Sequence, residues 1–108
     1  MAAARPVPGA IDADNDMHRL AAEGRWNAFA QRLAQGVPID IRDARGRTPL
    51  MQAAAAGQRQ MVQRLLQAGA EPTLMDLAGK TARQLAIDAG QADVVRLLPS
   101  DAQAGQIG

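Results

Sequence analysis

The stretch Asp43-Ala-Arg-Gly46-Arg-Thr48-Pro49-Leu50-Met51-Gln-Ala53-Ala54-Ala-Ala-Gly57-Gln-Arg-Gln-Met61-Val62-Gln-Arg-Leu65-Leu66-Gln-Ala-Gly69-Ala70-Glu-Pro-Thr-Leu74-Met-Asp76 decides the fold. The Thr48 hydroxyl can accept a hydrogen bond from the free amides of a first helical turn. Pro49 has no amide to lose at the first helical position, and its φ is already helical. A helix therefore starts here and runs through the alanines Ala53 to Ala56 to Gly57, where the chain turns back at no Cβ cost. Met61, Val62, Leu65 and Leu66 then recur on one helical face until Gly69 stops the second helix. The stretch predicts a short helical hairpin.

The same pattern returns 33 residues later. Asp43 is matched by Asp76, Gly46 by Gly79, Thr48 by Thr81, Ala53 by Ala86, Gly57 by Gly90, Val62 by Val95 and Leu65 by Leu98. In the other direction Gly57 maps on Gly24, Leu66 on Leu33 and Gly69 on Gly36. Three units fit between about Ala10 and Leu98, over roughly 10–42, 43–75 and 76–98. A period of this length marks stacked supersecondary units, none of which can bury its own apolar face.

The pattern Asp43-x-x-Gly46-x-Thr48-Pro49-Leu50-Met51-x-Ala53-Ala54-x-x-Gly57, followed by Leu65-Leu66-x-x-Gly69-Ala70, resembles an ankyrin repeat. It departs from the family at Met51, where His is usual, and at Pro72 in the finger region. The third unit keeps Asp76, Gly79, Thr81, Leu85, Ala86, Gly90, Val94, Val95, Leu97 and Leu98, with Ala82 in place of proline. The first keeps Leu20, Ala21, Gly24, Phe29, Leu33 and Gly36, with Asn15-Asp16 where Thr-Pro would stand. The resemblance implies an all-α ankyrin-repeat solenoid of stacked helix-turn-helix units with short projecting β-turn fingers.

At 108 residues the chain is one domain, and a globular chain of this size buries roughly 60 to 70 per cent of its unfolded surface. With one Trp, one Phe and no Tyr, packing falls to leucines and to alanines that let helices approach closely. Ala53, Ala54, Ala55, Ala56, Ala82, Ala86 and Ala89 all lie on the first helices of units two and three. Such a core offers no aromatic platform for nucleic-acid bases. Net charge is +1, so overall balance points to neither a strongly acidic nor a strongly basic partner. Eleven of the twelve basic residues are arginine, the side chain better suited to bidentate carboxylate contacts. The absence of cysteine excludes disulfides and thiolate chemistry.

Residues 1–11 read as a flexible lead-in and 99–108 as a flexible tail in which Ile107 is a possible contact, bracketing a repeat domain over 12–98. Asp14 or Asn15 caps the first helix, with Asp16 near its positive end. That helix runs to about Glu23, and Trp26, Phe29 and Leu33 share one face of the next, where they close one end of the stack. Val37-Pro38-Ile39-Asp40-Ile41 leads into a projecting turn at Asp43 to Gly46, and a second turn lies at Asp76 to Gly79, with little true sheet. The last pair of helices spans about Ala82 to Ala89 and Ala92 to Leu98, ended by Pro99. No run is long enough for a signal h-region or an 18-residue membrane span, so a cytoplasmic location is the default expectation, beside a mature exported form.

Most catalytic and ligand motifs fail on a single residue. Gly79-Lys80-Thr81 is like the end of a phosphate loop, but the glycine needed five positions earlier is Leu74. Turn formation by Gly79 and helix capping by Thr81 explain the tripeptide better. Asp12, Asp14, Asp16 and Glu23 match positions one, three, five and twelve of a calcium loop, yet the sharp-turn position is Met17 rather than glycine. His18 is the only histidine and Ser100 the only serine, so no nucleophile, base and orienting acid can be assembled. His18 falls where ankyrin repeats often carry a structural histidine, which implies a hydrogen-bonding role at the start of a helix. No enzyme activity, cofactor or metal is expected.

The reading that remains is a noncatalytic protein-binding module. Ankyrin domains usually bind through the turn tips and the exposed side of the first helices. Carried over by position, that surface is Arg42, Ala44, Arg45, Arg47, Met51, Gln52, Ala55 and Ala56, then Met75, Leu77, Ala78, Lys80, Gln84, Asp88 and Ala89. Met51, Met75 and Leu77 read as exposed apolar contacts on it. The arginines at the first tip point to a partner protein with an acidic patch, and small size points to an inhibitor, an immunity-type protein or an adaptor. The alanine- and arginine-rich composition suggests a bacterial source. The alternative, nucleic-acid binding through the arginine tips, is disfavoured by near-zero charge and the lack of stacking partners. No small-molecule substrate and no membrane are implied.

Overall fold

A computed structural model describes residues 16–99, and these form six short helices. They are α1 (Asp16–Ala22), α2 (Trp26–Ala34), α3 (Pro49–Ala55), α4 (Arg59–Gln67), α5 (Ala82–Asp88) and α6 (Ala92–Leu97). The described residues contain no β-strand. The lead-in over 1–11, Asp12, the caps Asp14 and Asn15, and the tail beyond Pro99 lie outside them.

Local chemistry sets the ends of these helices. Thr48 Oγ1 accepts from the Met51 amide at 3.3 Å while Met51 Sδ accepts from the Thr48 amide at 3.4 Å, so two donors of the first turn of α3 are satisfied reciprocally. Thr81 Oγ1 accepts from the Gln84 amide at 3.2 Å and starts α5 in the same way. Each first helix ends in one repeated motif. At Gly57, φ is 75°, its amide donates to Ala54 O, and the Gln58 amide donates to Ala53 O. Gly24 and Gly90 repeat this geometry, which needs a left-handed residue without a Cβ.

Side-chain amides then tie unit to unit. Gln58, just after Gly57, donates from Nε2 to Ala22 O at 2.9 Å, and Gln91 donates to Ala55 O at 3.2 Å. Both bonds span 36 residues and close the open carbonyl end of the preceding unit's first helix. Helices α1, α3 and α5 consequently lie side by side as one layer, and each packs on its own second helix, α2, α4 or α6. No helix among the described residues is long and apolar enough to cross a membrane.

The core lies between the layers. Ala21, Ala53, Ala54 and Ala86 are fully covered on the first helices, and Phe29, Val62, Leu65 and Val94 on the second. Small residues on one side and branched ones on the other allow close interdigitation. Leu50 and Met61 fill the remaining volume. Phe29 is buried and stacks on Trp26 with ring centroids 5.9 Å apart. Trp26, expected to close an end, instead faces α4, where the Arg64 guanidinium lies 5.8 Å from its ring centroid. It therefore marks the junction between units one and two.

Candidate protein-docking face

Two turns project from the first-helix layer, and each is organised by an aspartate. Asp43 Oδ1 accepts from the Arg45 and Arg47 amides at 2.8 and 2.9 Å, and the Asp43 amide donates to Arg47 O at 3.0 Å. Asp76 repeats the arrangement with the Ala78 and Lys80 amides at 2.9 and 3.0 Å and with Lys80 O. In each turn one carboxylate oxygen replaces the water that two loop amides would otherwise need. Gly46 and Gly79 supply the positive φ that closes the turn.

The turns are coupled to each other and to the helices behind them. Leu77 N donates to Arg45 O at 3.0 Å, Arg42 Nη1 donates to Met75 O at 3.1 Å, and Arg47 Nε contacts Asp76 Oδ2 at 3.4 Å. From α1, His18 Nε2 donates to Arg47 O at 2.6 Å, which fixes the proton on that ring nitrogen. From α3, Gln52 Nε2 reaches Asp43 Oδ2 at 3.5 Å. The His18 bond realises the hydrogen-bonding role expected of that residue.

Electrostatics follow from these contacts. Burial pushes the Asp76 carboxyl up, but the Lys80 and Ala78 amides, with Arg47 beside them, outweigh it and hold the group below its ordinary value. Asp40 moves the other way. Burial raises it, and the nearby Glu71 charge adds to that, against the Glu71 amide that it accepts from at 3.2 Å. Asp88 is held low by its bond to Lys80 on the same exposed side of α5.

The expected site residues separate into three groups. Ala44, Arg45, Met75, Leu77 and Ala78 project from the turns, and Leu77 and Met75 are 80% and 56% exposed. Ala56, Lys80, Asp88 and Ala89 are exposed along the helical side, with Gln52, Ala55 and Gln84 half-buried among them. Arg42 and Arg47 are half-buried and serve the joint between the turns, so of the three arginines at the first tip only Arg45 is exposed.

Met51 corrects the expectation of an exposed contact, since it is 1% exposed. A side chain in the first turn of a helix points back toward its N-terminus, which brings Met51 under Thr48 and into the core. One apolar residue was missed. Ile87 is 43% exposed and occupies the register of Ala54, which unit three covers completely. The signal was available as an isoleucine at the inward register of the last unit. Below the second turn, Gly79 and Thr81 act as turn and cap, and no group of three His, Cys, Asp or Glu among the described residues could hold a metal.

Stacked helical hairpins with turns projecting from one layer define a repeat-built docking module. The sequence model described as ankyrin repeats (3 copies) matches residues 17–106, and the chain belongs to the ankyrin-repeat family, a protein–protein interaction module. It is 43% identical over 76 residues to Ankyrin repeat family A protein 2 of Mus musculus, covering 70% of this chain and 24% of that protein. It is 40% identical over 82 residues to NF-kappa-B inhibitor delta of Mus musculus, covering 73% and 25%. An ankyrin repeat-containing protein of Treponema pallidum is 39% identical over 77 residues, covering 70% and 26%. The chain thus spans about a quarter of the length of these relatives. Ankyrin repeats as a family are generally noncatalytic.

Proposed function

We propose that the chain is a noncatalytic binding module that seats a partner protein across its turn tips and the exposed side of α1, α3 and α5, acting as an inhibitor, an immunity-type protein or an adaptor. The observation that carries this reading is the ridge of Met75, Leu77 and Arg45 on a backbone already fixed by Asp43 and Asp76. Large apolar side chains held in solvent on a stiff frame lose little ordering entropy when a partner covers them. The single exposed tip arginine favours a carboxylate near the apolar contact on the partner. The likeness to NF-kappa-B inhibitor delta is in keeping with an inhibitory role. Nucleic-acid binding through the tips has less support, because Arg42 and Arg47 are engaged with the neighbouring turn.

The test is affinity purification with the wild-type chain beside Leu77→Asp and Arg45→Glu, all checked for unchanged melting. A partner protein retained by the wild type and lost from both variants supports the surface. Retention by both variants removes it.

A further inference from the structure

The charge of the described residues is not spread evenly. The turns and first helices hold six basic and six acidic side chains, whereas the second helices and their short lead-ins hold five arginines against Glu23 and Asp93. The imbalance is concentrated on α2 and α4, which contain no carboxylate at all. Arg25 is paired with Glu23 at 2.8 Å and Arg32 with Asp16 at 2.6 Å, while Arg59 and Arg64 have no carboxylate partner among the described residues. Exposed positions between them are amides such as Asn27, Gln60 and Gln63. Solvated helix surfaces ordinarily mix both signs of charge.

The same two helices leave a cleft. Whereas α4 packs on α6, α2 and α4 approach each other less closely, and the gap is lined by Arg25, Trp26, Ala28, Gln60, Met61 and Arg64. Its floor is apolar, with Met61 buried and Trp26 and Ala28 half-buried. Arg64 is held over the indole by a cation–π contact, which presets its guanidinium and leaves its donors free for an anion.

We propose that this cleft is a second docking site, on the layer away from the turns, for an acidic polypeptide segment that carries an apolar side chain beside its carboxylate. The apolar residue sits on Trp26 and Met61, the carboxylate bonds to Arg64, and the Gln60 carboxamide bonds to the peptide backbone. Charge complementarity favours an anion, and the covered indole favours a peptide over a nucleic acid. Arg64 already lies over the indole and Phe29 is stacked on it, so the ring offers a planar base less stacking surface than a free aromatic platform would, while its remaining half-exposed part can still meet an aliphatic side chain.

Trp26 is the only tryptophan in the chain, so its fluorescence reports on the cleft directly. The probe is a synthetic peptide of glutamate and leucine, titrated against the full chain with calorimetry in parallel, beside a lysine–leucine peptide and oligothymidylate. Saturable binding of the acidic peptide is expected, weakened at least tenfold by Arg64→Glu, several-fold by raised salt, and unchanged by Arg96→Glu on α6, an exposed arginine outside the cleft. Arg64→Gln, which keeps the stem over the indole, should lose most of the affinity with unaltered melting. Absence of saturable binding, equal affinity of Arg64→Glu, or tighter binding of oligothymidylate than of the peptide would each overturn the proposal. Loss through Arg45→Glu alone would assign the binding to the turn face instead.

Discussion

Replacing Leu65 by alanine probes the stack where its layers meet. Leu65 is completely buried on α4, on the face that also carries Met61 and Val62. The change removes three carbons, worth about 0.8 kcal/mol each in transfer free energy, or roughly 2.4 kcal/mol. A residual hole on the order of 50 Å³ adds about 1 kcal/mol at the usual cavity coefficient. The total, about 3.5 kcal/mol, lies within the 2 to 5 kcal/mol typical of such truncations. At about 4 to 8 °C per kcal/mol for a domain of this size, the melting midpoint should fall by roughly 14 to 28 °C. Thermal unfolding followed by circular dichroism measures it, with Leu66→Ala as the comparison because Leu66 is only half-buried. A Leu65→Ala shift no larger than that of Leu66→Ala would refute the reasoning.

Three further outcomes are expected. Gly57→Ala should cost about 2 to 3 kcal/mol in chemical denaturation, since it strains a left-handed residue and its Cβ runs into the Gln91 carboxamide that bonds Ala55 O; Gly90→Ala, with φ 74° and open space around it, should cost only the strain. Asp76→Asn should lower the melting midpoint at neutral pH, because the carboxylate form is favoured by folding. That contribution is complete above the unfolded value near pH 4 and disappears as pH falls through the lower folded value, so wild-type and variant melting curves should converge in acid. Met51→His should raise the midpoint, measured by calorimetry, if its ring donates to Lys80 O as His18 donates to Arg47 O 29 residues away; a lower midpoint would show that the buried thioether fits that site better.

Much of this fold was legible because its punctuation is short-range. Thr48 and Pro49, Gly57 and Gly69 act within one turn of where they stand, so the start of α3, the ends of α3 and α4, and the bounds of α5 and α6 could be read to within about a residue of where the structure places them. The 33-residue shift then supplied the stacking, since hairpins of this length cannot persist alone. The docking face was legible only in outline. That Arg42 and Arg47 bond across to the next turn depends on how far apart consecutive turns sit, which no local pattern states. Met51 was misplaced for a related reason, because alternate sides of a first helical turn differ by a rotation that the capping geometry, not the hydropathy, decides. The orientation of Trp26, and the meeting of α2 and α4, both free of carboxylates, along one cleft, emerged only once units one and two were seen against each other.

Amide hydrogen exchange at Phe29 in unit one and Val94 in unit three, measured on the same sample, tests most directly whether the units hold each other up. Mutual support predicts one common opening free energy at both sites and an equal drop at both when Leu85 of α5 is changed to alanine. Independent opening, with unit three exchanging fast while Phe29 stays protected, would contradict it.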